Sequence, residues 1–358
     1  MRQKMKKTKL LVLFGGQSTE HEISCISAGT VLSNIDQDLF EVRACGITKA
    51  GDWIKIDGCG SGIDIDNIVS GKWADVPECE KKGIVPAIEL IYGCDVVFPV
   101  MHGIMAEDGS IQGLLSVLCK PFVGAGILSS AVCMDKVYTK IVLASAGIPV
   151  VPSVTVERED LGDIASVKSE IALKIGYPCF VKPSNSGSSV GAFKVLSEDD
   201  IEQKIVEAAK YDRKVLVEKY VNAQEVECAV LGNRVPKAAT PGEIISTSEF
   251  YDYDDKYING TSSTRIPAGI PQGDIEKIKE LAVKAYLALD CAGLARVDFF
   301  KDRTTGEIYL NEVNTIPGFT SISMYPKMWE YEGIQIKDLI TELVKLAIEN
   351  NKDNARTL

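Results

Sequence analysis

Short apolar runs and segments with helical spacing alternate along the first third of the chain. The apolar runs lie at 10–14, 40–48 and 95–101, and helix-like stretches follow Ser24 and cover 111–118. Runs that are apolar on both faces and are separated by helices are typical of parallel strands in an open α/β sheet. The tract 51–93 has few periodic positions, which indicates an irregular or edge region. We therefore predict an N-terminal α/β domain over residues 1–130.

Two further units follow, and we predict that they span 131–222 and 223–358. The stretch 134–147 predicts a helix ending at Gly147, and strand candidates follow at 177–184, 191–196 and 213–221. Ser197 opens an S-x-x-D pattern, which is typical of a helix start. A strand at 225–232, a polar and aromatic loop at 246–264 and an amphipathic helix from Asp274 to Leu289 belong to the last unit.

Charge and length narrow the class of protein. The chain has 358 residues, with 39 Lys and Arg against 50 Asp and Glu, so its net charge is −11. This acidic balance argues against nucleic-acid binding and against attraction to anionic lipid. The N-terminal apolar run is shorter than the roughly 7–15 residues of a signal peptide, and no run approaches the roughly 20 residues of a membrane span. We expect a cytoplasmic protein of two or three domains.

Ten cysteines are scattered among the apolar runs, with no C-x-x-C pair. This distribution is typical of reduced, buried thiols and argues against a thiolate metal site.

The segment 294–314 contains two strand-like runs around a polar turn, which predicts a β-hairpin. If the hairpin is centred on Thr305, Asp298 lies opposite Glu312, and Arg296 lies opposite Asn314. Opposed carboxylates repel unless a cation lies between them, and oxygen donors suit a hard ion such as Mg²⁺. The alternative is a solvated polar face, and a register slip of one residue would remove the predicted site.

A glycine- and serine-rich loop follows the strand that ends near Lys182. Backbone N–H groups and hydroxyls in such a loop can bind phosphate oxygens, with the lysine as a point charge. The loop lacks the G-x-x-x-x-G-K-[ST] pattern of a Walker A motif. A flexible surface loop is the alternative. A second loop, 249–260, combines four aromatic residues with Lys256, which favours an active-site lid or else an exposed insertion.

The turn FGGQSTEHEIS at 14–24 places Glu20 after a strand, at the edge where open α/β sheets bind ligands. A carboxylate at this position suits a substrate ammonium group. His102 ends the strand DVVFPVMH at the same kind of edge, so it is either a donor to substrate or a structural histidine. We interpret His21 as structural. The pair Gly15-Gly16 lacks the third glycine of a dinucleotide fingerprint, which disfavours a nicotinamide-dependent dehydrogenase.

The motifs occur in one order along nearly the whole chain. They are FGG-x-S-x-E-x-x-x-S, HG-x-x-x-EDG, MDK, VKP-x-x-x-GSS-x-G, EFYDY-x-x-KY, ARVD-F and NEVNT-x-PGFT. This ordered set resembles the D-alanine–D-alanine ligase family of ATP-grasp enzymes. The resemblance implies a three-domain ATP-grasp fold of class α/β, with an N-terminal open parallel sheet and ATP held between the second and third units.

The resemblance also implies roles for residues that would hold ATP and metal. Lys136, Lys182 and Lys256 would bind the phosphates of ATP. Glu218 and the residues after it would contact the adenine edge, and Glu225 would contact the ribose. Two Mg²⁺ ions, with Mn²⁺ as a substitute, would be held by Asp298, Glu312 and Asn314.

Further roles concern the two amino-acid substrates. Glu20 would bind the ammonium group of the first D-alanine and hydrogen-bond with Ser188, which would meet Tyr257 of the lid. Arg296 and the N–H of Gly318 would stabilise the oxyanion. The substrate-binding residues would include His102, Ser323 and Met324, the last two at the second subsite.

The implied reaction joins two D-alanines through an acyl phosphate, for peptidoglycan precursor synthesis, in a homodimer. The lid would keep water from the acyl phosphate. D-Serine as the second substrate is the main alternative. Ligases that favour D-serine commonly have Arg where this chain has Met324, which favours D-alanine, whereas Ala106 departs from the usual glycine in the loop beside that subsite.

Two other functions remain as alternatives. Another ATP-grasp ligase would keep the nucleotide and metal residues, but the set Glu20, Ser188 and Tyr257 argues against it. A non-catalytic ATP-binding module would be expected to lack a metal ligand or Arg296, and the sequence keeps them all.

Overall fold

A computed structural model describes residues 6–58, 60–75, 82–187, 189–245 and 263–355. Within these ranges the strands are β1 (Thr8–Gly15), β2 (Phe40–Ile47), β3 (Trp53–Lys55), β4 (Val96–Met101), β5 (Ser153–Glu157), β6 (Cys179–Pro183), β7 (Phe193–Val195), β8 (Lys214–Lys219), β9 (Ala223–Gly232), β10 (Lys237–Ala238), β11 (Gly242–Ile245), β12 (Ser263–Arg265), β13 (Gly293–Asp302) and β14 (Ile308–Asn314).

The described α-helices are α1 (His21–Asn34), α2 (Ile65–Val69), α3 (Ile84–Tyr92), α4 (Ser110–Val117), α5 (Ile127–Met134), α6 (Lys136–Ser145), α7 (Ile164–Lys174), α8 (Glu198–Ala208), α9 (Gln272–Ala288), α10 (Met324–Tyr331) and α11 (Ile336–Asp353). Short 3₁₀ helices cover Gly60–Gly62, Lys72–Ala74 and Arg158–Asp163. None of the described helices combines the length and apolar character that a membrane crossing requires.

The first sheet has the strand order β3-β2-β1-β4, and β1 pairs in parallel with both β2 and β4. Leu10, Val12 and Phe14 of β1 join one core, whereas Leu11 and Leu13 join another on the opposite face. Because both faces are covered, the strand is apolar at every position from Leu10 to Phe14. The prediction of an open parallel sheet is confirmed, and the irregular tract contributes β3 as an antiparallel edge.

Two antiparallel sheets follow along the chain. One has the order β5-β8-β6-β7, and its core includes apolar residues of α7 and α8. The other has the order β12-β11-β9-β13-β14, with β10 also paired to β9, and α9 packs against it. The predicted α/β class is confirmed by this architecture.

Two helix starts differ from the sequence prediction. Asp135, the second residue of the stretch predicted as a helix, has an extended backbone, so α6 begins at Lys136 and Met134 ends the preceding helix α5. Its carboxylate accepts the N–H groups of Val137 and Tyr138 and thereby caps the new helix. Ser197 does precede α8, but its side chain makes no capping hydrogen bond.

The C-terminal helices pack against the N-terminal sheet. Phe98 of β4 meets Phe319 edge to face, with ring centroids 5.9 Å apart, and Phe319 in turn contacts Tyr325 of α10. Apolar residues of α11, including Leu339 and Leu343, belong to the same core. This packing holds the loop 315–323 against the carboxyl ends of β1 and β4.

Candidate active site

Two cavities lie where the three sheets meet. The larger has a volume of about 420 Å³ and lies between the two antiparallel sheets, which is within the usual range of roughly 300–1,000 Å³ for ligand sites. The smaller, of about 150 Å³, lies between the N-terminal sheet and the loop 315–323. The two cavities share Lys136, Ser186, Glu227, Arg296 and Glu312, so a group in one is adjacent to a group in the other.

Glu20 reaches the smaller cavity from the turn between β1 and α1. Gly15 has φ +83°, and a Cβ there would lie 2.2 Å from the carbonyl oxygen of Ile47, so the turn requires glycine. The Glu20 carboxylate lies against Gly103 and Gly187, because a Cβ on either would come within 3.2 Å of its Oε2. It therefore faces both the loop after β4 and the glycine- and serine-rich loop.

His102 borders the smaller cavity, but its ring nitrogens contact protein groups. Nδ1 lies 3.1 Å from the carbonyl oxygen of Ile316, and Nε2 lies 3.3 Å from Oγ of Ser27. Burial lowers the pKa of His102, although the Glu20 carboxylate opposes this, so the ring is neutral near pH 7. A neutral ring that donates to the Ile316 carbonyl must accept the Ser27 hydroxyl. In this arrangement His102 joins β4 to the loop 315–323.

Glu107 was not assigned a role from the sequence, yet it lines the smaller cavity. The N–H of Gly103 donates to its Oε2 at 2.7 Å. Burial, and then repulsion from Glu20, raises the pKa of Glu107 to about 8. The EDG motif was the sequence signal for this residue.

The C-terminal wall of the smaller cavity contains Gly318, Ser323 and Met324. Ser323 Oγ accepts the N–H of Thr320 at 3.0 Å, which closes a tight turn before α10. The Met324 side chain is buried and its Cε lies against Gly242 of β11. The predicted second-subsite residues are thus adjacent to one another.

The hairpin β13–β14 has the predicted register at its functional end. Arg296 pairs with Asn314, and Asp298 pairs with Glu312. Between Asp298 and Phe299 the register shifts by one, which leaves Asn311 as the bulged residue. The uniform register predicted from the turn was therefore wrong beyond the bulge. Asn311 faces the larger cavity, and its Oδ1 lies 3.4 Å from Nζ of Lys182.

Arg296 lies between two carboxylates. Its Nε and terminal N–H groups donate to both oxygens of Asp298 at 2.8 and 2.7 Å, and Nε lies 3.2 Å from Glu227. Burial would lower the pKa of Arg296, but Asp298 and Glu227 outweigh it and raise the pKa. Glu227 lies opposite Asp298 on β9 and was missed from the sequence. Its spacing of two residues from Glu225 was the available signal.

The oxygen donors at the end of β13–β14 fit a hard cation. Asp298 and Glu312 are cross-strand neighbours, and the Asn314 amide donates to Asp298 at 2.8 Å. Nζ of Lys136 lies 3.8 Å from Glu312. In the described part of the chain no three His, Cys, Asp or Glu side chains form a metal-binding cluster, so an ion at this site would need Asn314 and ligand oxygens in addition to the two carboxylates.

The larger cavity is lined by the residues that the sequence assigned to the nucleotide, Lys136, Lys182, Glu218 and Glu225. Nζ of Lys136 donates to the carbonyl oxygen of Ser186 at 2.5 Å. Lys182 pairs with Glu218 at 2.5 Å. The lysines therefore lie at one end of the cavity, beside the glycine- and serine-rich loop and the hairpin.

Asp135 fixes the position of Lys136 relative to that loop. Its carboxylate accepts the Ser184 hydroxyl at 2.6 Å and pairs with Lys214, and Lys136 donates its N–H to the Ser184 carbonyl oxygen. Burial would raise the pKa of Asp135, but the bond to Lys214 outweighs it and lowers the pKa. Asp135 therefore caps α6 and also holds the start of the glycine- and serine-rich loop in place.

Three predicted site residues, Ser188, Lys256 and Tyr257, lie outside the residues that the structure describes. Their roles stay predictions. The remaining predicted residues all line one or both cavities. Together, the fold and the paired cavities define a protein of the ATP-grasp class.

Comparison with known proteins identifies the family. Residues 9–125 match the model of the D-ala D-ala ligase N-terminus, and residues 142–345 match that of the D-ala D-ala ligase C-terminus. The chain is 51% identical over 346 residues to a D-alanine–D-alanine ligase of Clostridium novyi (strain NT), covering 96% of this chain and 99% of that protein. It is 48% identical over 374 residues to one of Acetivibrio thermocellus, covering 98% of each. The chain belongs to the D-alanine–D-alanine ligase family.

Two solved structures are similar over almost the whole chain. The VanG D-Ala:D-Ser ligase of Enterococcus faecalis has a TM-score of 0.83 at 36% identity, covering 96% of this chain and all of that one. The D-alanine–D-alanine ligase of Coxiella burnetii has a TM-score of 0.79 at 34% identity, and the match covers 97% of this chain and 95% of that one.

Proposed function

We propose that the chain ligates two D-alanines to D-alanyl-D-alanine with ATP, for peptidoglycan precursor synthesis. The observation that carries the proposal is the wall shared by the two cavities, which contains Lys136, Arg296 and Glu312. A phosphate group in the larger cavity and a carboxylate in the smaller one would meet at this wall. The high identity to curated D-alanine–D-alanine ligases supports the same reaction.

In the larger cavity, Lys136 and Lys182 would bind the phosphates of ATP, and Lys256 of the lid would join them. Glu218 would contact the adenine edge and Glu225 the ribose. Asp298, Glu312 and Asn314 would hold Mg²⁺, which would neutralise phosphate charge during transfer. The resemblance supports two such ions, and Mn²⁺ has the same oxygen preference.

In the smaller cavity, Glu20 would bind the ammonium group of the first D-alanine, with Ser188 and Tyr257 beside it. The carboxylate of this D-alanine would attack the γ-phosphate of ATP, which would release ADP and leave an acyl phosphate. The amine of the second D-alanine would then attack the acyl carbon, and Arg296 with the N–H of Gly318 would stabilise the oxyanion. Loss of inorganic phosphate and of a proton from the amine would complete the peptide bond. His102 would hold the loop that carries Gly318 in place through Ile316.

D-Alanine is favoured over D-serine at the second subsite, which Ser323 and Met324 would line. Met324 is buried in an apolar core and offers no hydrogen bond to a hydroxymethyl group. The D-Ala:D-Ser ligase among the structural relatives is 36% identical, whereas the curated D-alanine–D-alanine ligases reach 48–51%.

We further propose a cytoplasmic homodimer that binds neither nucleic acid nor membrane, with domain boundaries near residues 130 and 222. The net charge of −11 supports the absence of nucleic-acid binding. The eight cysteines in the described ranges are free thiols, which is typical of a reducing compartment.

Product analysis tests the proposed reaction. The protein is incubated with Mg²⁺, ATP and D-alanine, alone or with D-serine, and phosphate release and dipeptides are measured, the latter by mass spectrometry. We expect D-alanyl-D-alanine as the main product. Mainly D-alanyl-D-serine would favour the D-serine alternative, and nucleotide binding without turnover would contradict the ligase and favour a non-catalytic module.

The variant Arg296→Lys tests the assigned oxyanion contact, because lysine keeps the charge but loses the forked geometry. We expect kcat to fall by about 100-fold or more, with nucleotide affinity within about threefold of the native value. The control Lys168→Met removes an ion pair with Glu202 between α7 and α8, away from both cavities, and should leave kcat unchanged. An unchanged kcat in Arg296→Lys would exclude this contact.

A further inference from the structure

Three charged side chains form a buried chain of ion pairs beside the larger cavity. Glu218 lies at the carboxyl end of β8, and Nζ of Lys140 approaches its Oε1 at 2.5 Å. Nζ of Lys182 approaches its Oε2, also at 2.5 Å. One carboxylate is thus shared by two ammonium groups, although a single lysine would balance its charge.

The two lysines have different surroundings. Lys182 lines the larger cavity, and it also approaches Asn311 of β14. Lys140 is absent from the described lining of both cavities, and its side chain is only 7% exposed. It lies one helical turn after Lys136 on α6 and also donates to the carbonyl oxygen of Val151 at 2.9 Å. Lys182 can therefore reach a ligand in the cavity, whereas Lys140 is held within the protein.

Burial makes the charge balance at Glu218 important. Removing one partner of a buried ion pair leaves an uncompensated charge, which is strongly unfavourable. If Lys182 were the only counter-ion, its transfer to a phosphate would leave Glu218 in that state. With Lys140 present, the carboxylate keeps a partner when Lys182 moves away.

We propose that Lys140 is a positioning residue for nucleotide binding: it remains on Glu218 as a permanent counter-ion and frees Lys182 to bind phosphate. The proposal rests on the proposed function, since it assumes that the larger cavity takes ATP. When Lys182 moves from Glu218 to a phosphate, Oε2 of Glu218 becomes free to accept a hydrogen bond from the adenine base of ATP. Phosphate binding and base binding are then coupled through one carboxylate.

The pKa values agree with this division of roles. Burial would raise the pKa of Glu218, but attraction to Lys140, and then to Lys182, outweighs it and lowers the pKa to about 2. Burial lowers the pKa of Lys140, and the Glu218 carboxylate opposes that effect. Glu218 is therefore ionised at neutral pH and needs a cation at all times.

The variant Lys140→Met tests the proposal, because methionine keeps much of the aliphatic stem and removes the charge. The dissociation constants for Mg·ATP and for Mg²⁺ with tripolyphosphate are measured by calorimetry without D-alanine. We expect both constants to rise about tenfold or more, since Lys182 would be retained by Glu218. Tripolyphosphate lacks a base and therefore reports on the phosphate contact alone.

The double variant Lys140→Met/Glu218→Gln separates positioning from a structural role. The double variant has no carboxylate at position 218 to retain Lys182. Its dissociation constant for tripolyphosphate should therefore return to within about threefold of the value for the native protein. Glu218→Gln alone should bind tripolyphosphate at least as tightly as the native protein. Lys168→Met is the matched control, since it removes a lysine–glutamate pair of the same unit. Thermal unfolding confirms that each variant is folded.

The outcomes separate this proposal from the proposed ligase reaction. If Lys140→Met binds Mg·ATP and tripolyphosphate with native affinity, the proposal for Lys140 is overturned. A loss of tripolyphosphate affinity in Lys140→Met that the double variant fails to reverse would also overturn the proposal. If Lys140→Met does not fold, the Glu218→Gln measurement decides, because weaker tripolyphosphate binding there would contradict the proposal. A protein that binds Mg·ATP but makes no dipeptide would fail the ligase test and leave these binding measurements valid. Absence of native nucleotide binding would overturn both.

Discussion

Glu107 lies beside Glu20 at the smaller cavity and has a backbone donor, the N–H of Gly103. Burial and then repulsion from Glu20 raise its pKa to about 8 from an ordinary value of 4.5. The further ionisable groups that line this cavity are His102, Cys133, Lys136, Glu227, Arg296 and Glu312. The protonation of Glu107 therefore changes near neutral pH.

The pKa of Glu107 predicts a pH dependence of stability. Because the folded pKa lies above the unfolded one, the stabilisation from this carboxyl is complete below pH 4.5 and is lost as pH rises through about 8. The variant Glu107→Gln has no proton to lose. We expect the native free energy of unfolding to fall relative to the variant between pH 5 and 9, measured by urea unfolding.

The exposed Glu89 gives a matched control for that measurement. In Glu89→Gln, the unfolding free energy should follow the native pH profile. Parallel profiles for native protein and Glu107→Gln would show that Glu107 is not protonated in the folded state at neutral pH.

At the scale of secondary-structure elements, strand β11 packs against the start of helix α10. A Cβ on Gly242 would lie 2.2 Å from Cε of Met324 and 2.9 Å from Cγ1 of Ile266. The absence of a side chain on β11 therefore leaves space for the methionine methyl group. Because Met324 lines the smaller cavity, this packing influences the shape of the second subsite.

We predict that Gly242→Ala moves the Met324 side chain toward the second subsite. Overpacking of this kind costs about 1–3 kcal/mol, and the KM for the second D-alanine should rise by about three- to tenfold while the KM for ATP is unchanged. Initial rates over a range of D-alanine concentrations give both constants. Gly273→Ala is the control, since no atom lies within 4 Å of its added Cβ. Equal KM values for Gly242→Ala and Gly273→Ala would contradict the role of Gly242.

The hairpin illustrates how far element-level prediction reached. Alternation of apolar and polar residues predicted the pairs Asp298–Glu312 and Arg296–Asn314, and both are present. The bulge at Asn311 was not predicted, because the spacing of side chains does not reveal which residue leaves the ladder. The break at Asp135 was missed for a related reason. The Asp135 carboxylate is held by Ser184 and Lys214, which are distant in sequence, while it accepts the N–H groups at the start of α6.

At the scale of the whole molecule, three consecutive helices carry exposed apolar side chains. Helices α4 and α5 contact each other, as do α5 and α6. The exposed side chains are Val117, Ile127, Leu128, Tyr138 and Ile141. Large exposed apolar groups on neighbouring elements are typical of an interface between subunits.

We predict that this face joins two copies of the chain, with a sedimentation mass of twice 38.8 kDa. Leu128→Glu, at a side chain that is 63% exposed, should shift the protein toward monomer. Leu173→Glu on α7, where the leucine is 85% exposed, is the matched control and should remain dimeric. A native monomer at micromolar concentration, or equal effects of both substitutions, would contradict this interface.

The sequence by itself determined the class of fold and most of the residues around the two cavities. Apolar runs predicted buried parallel strands because both faces of such strands are covered, and Glu20 and His102 were predicted at strand ends because those ends meet at one edge. Most of the other site residues were implied by the resemblance of the ordered motifs to the family. Only the tertiary structure decided which charges meet. Glu227 with Arg296, and Lys140 with Glu218, are brought together by packing between elements that are distant along the chain. Their pairing depends on three-dimensional distance and burial, which local sequence patterns do not contain.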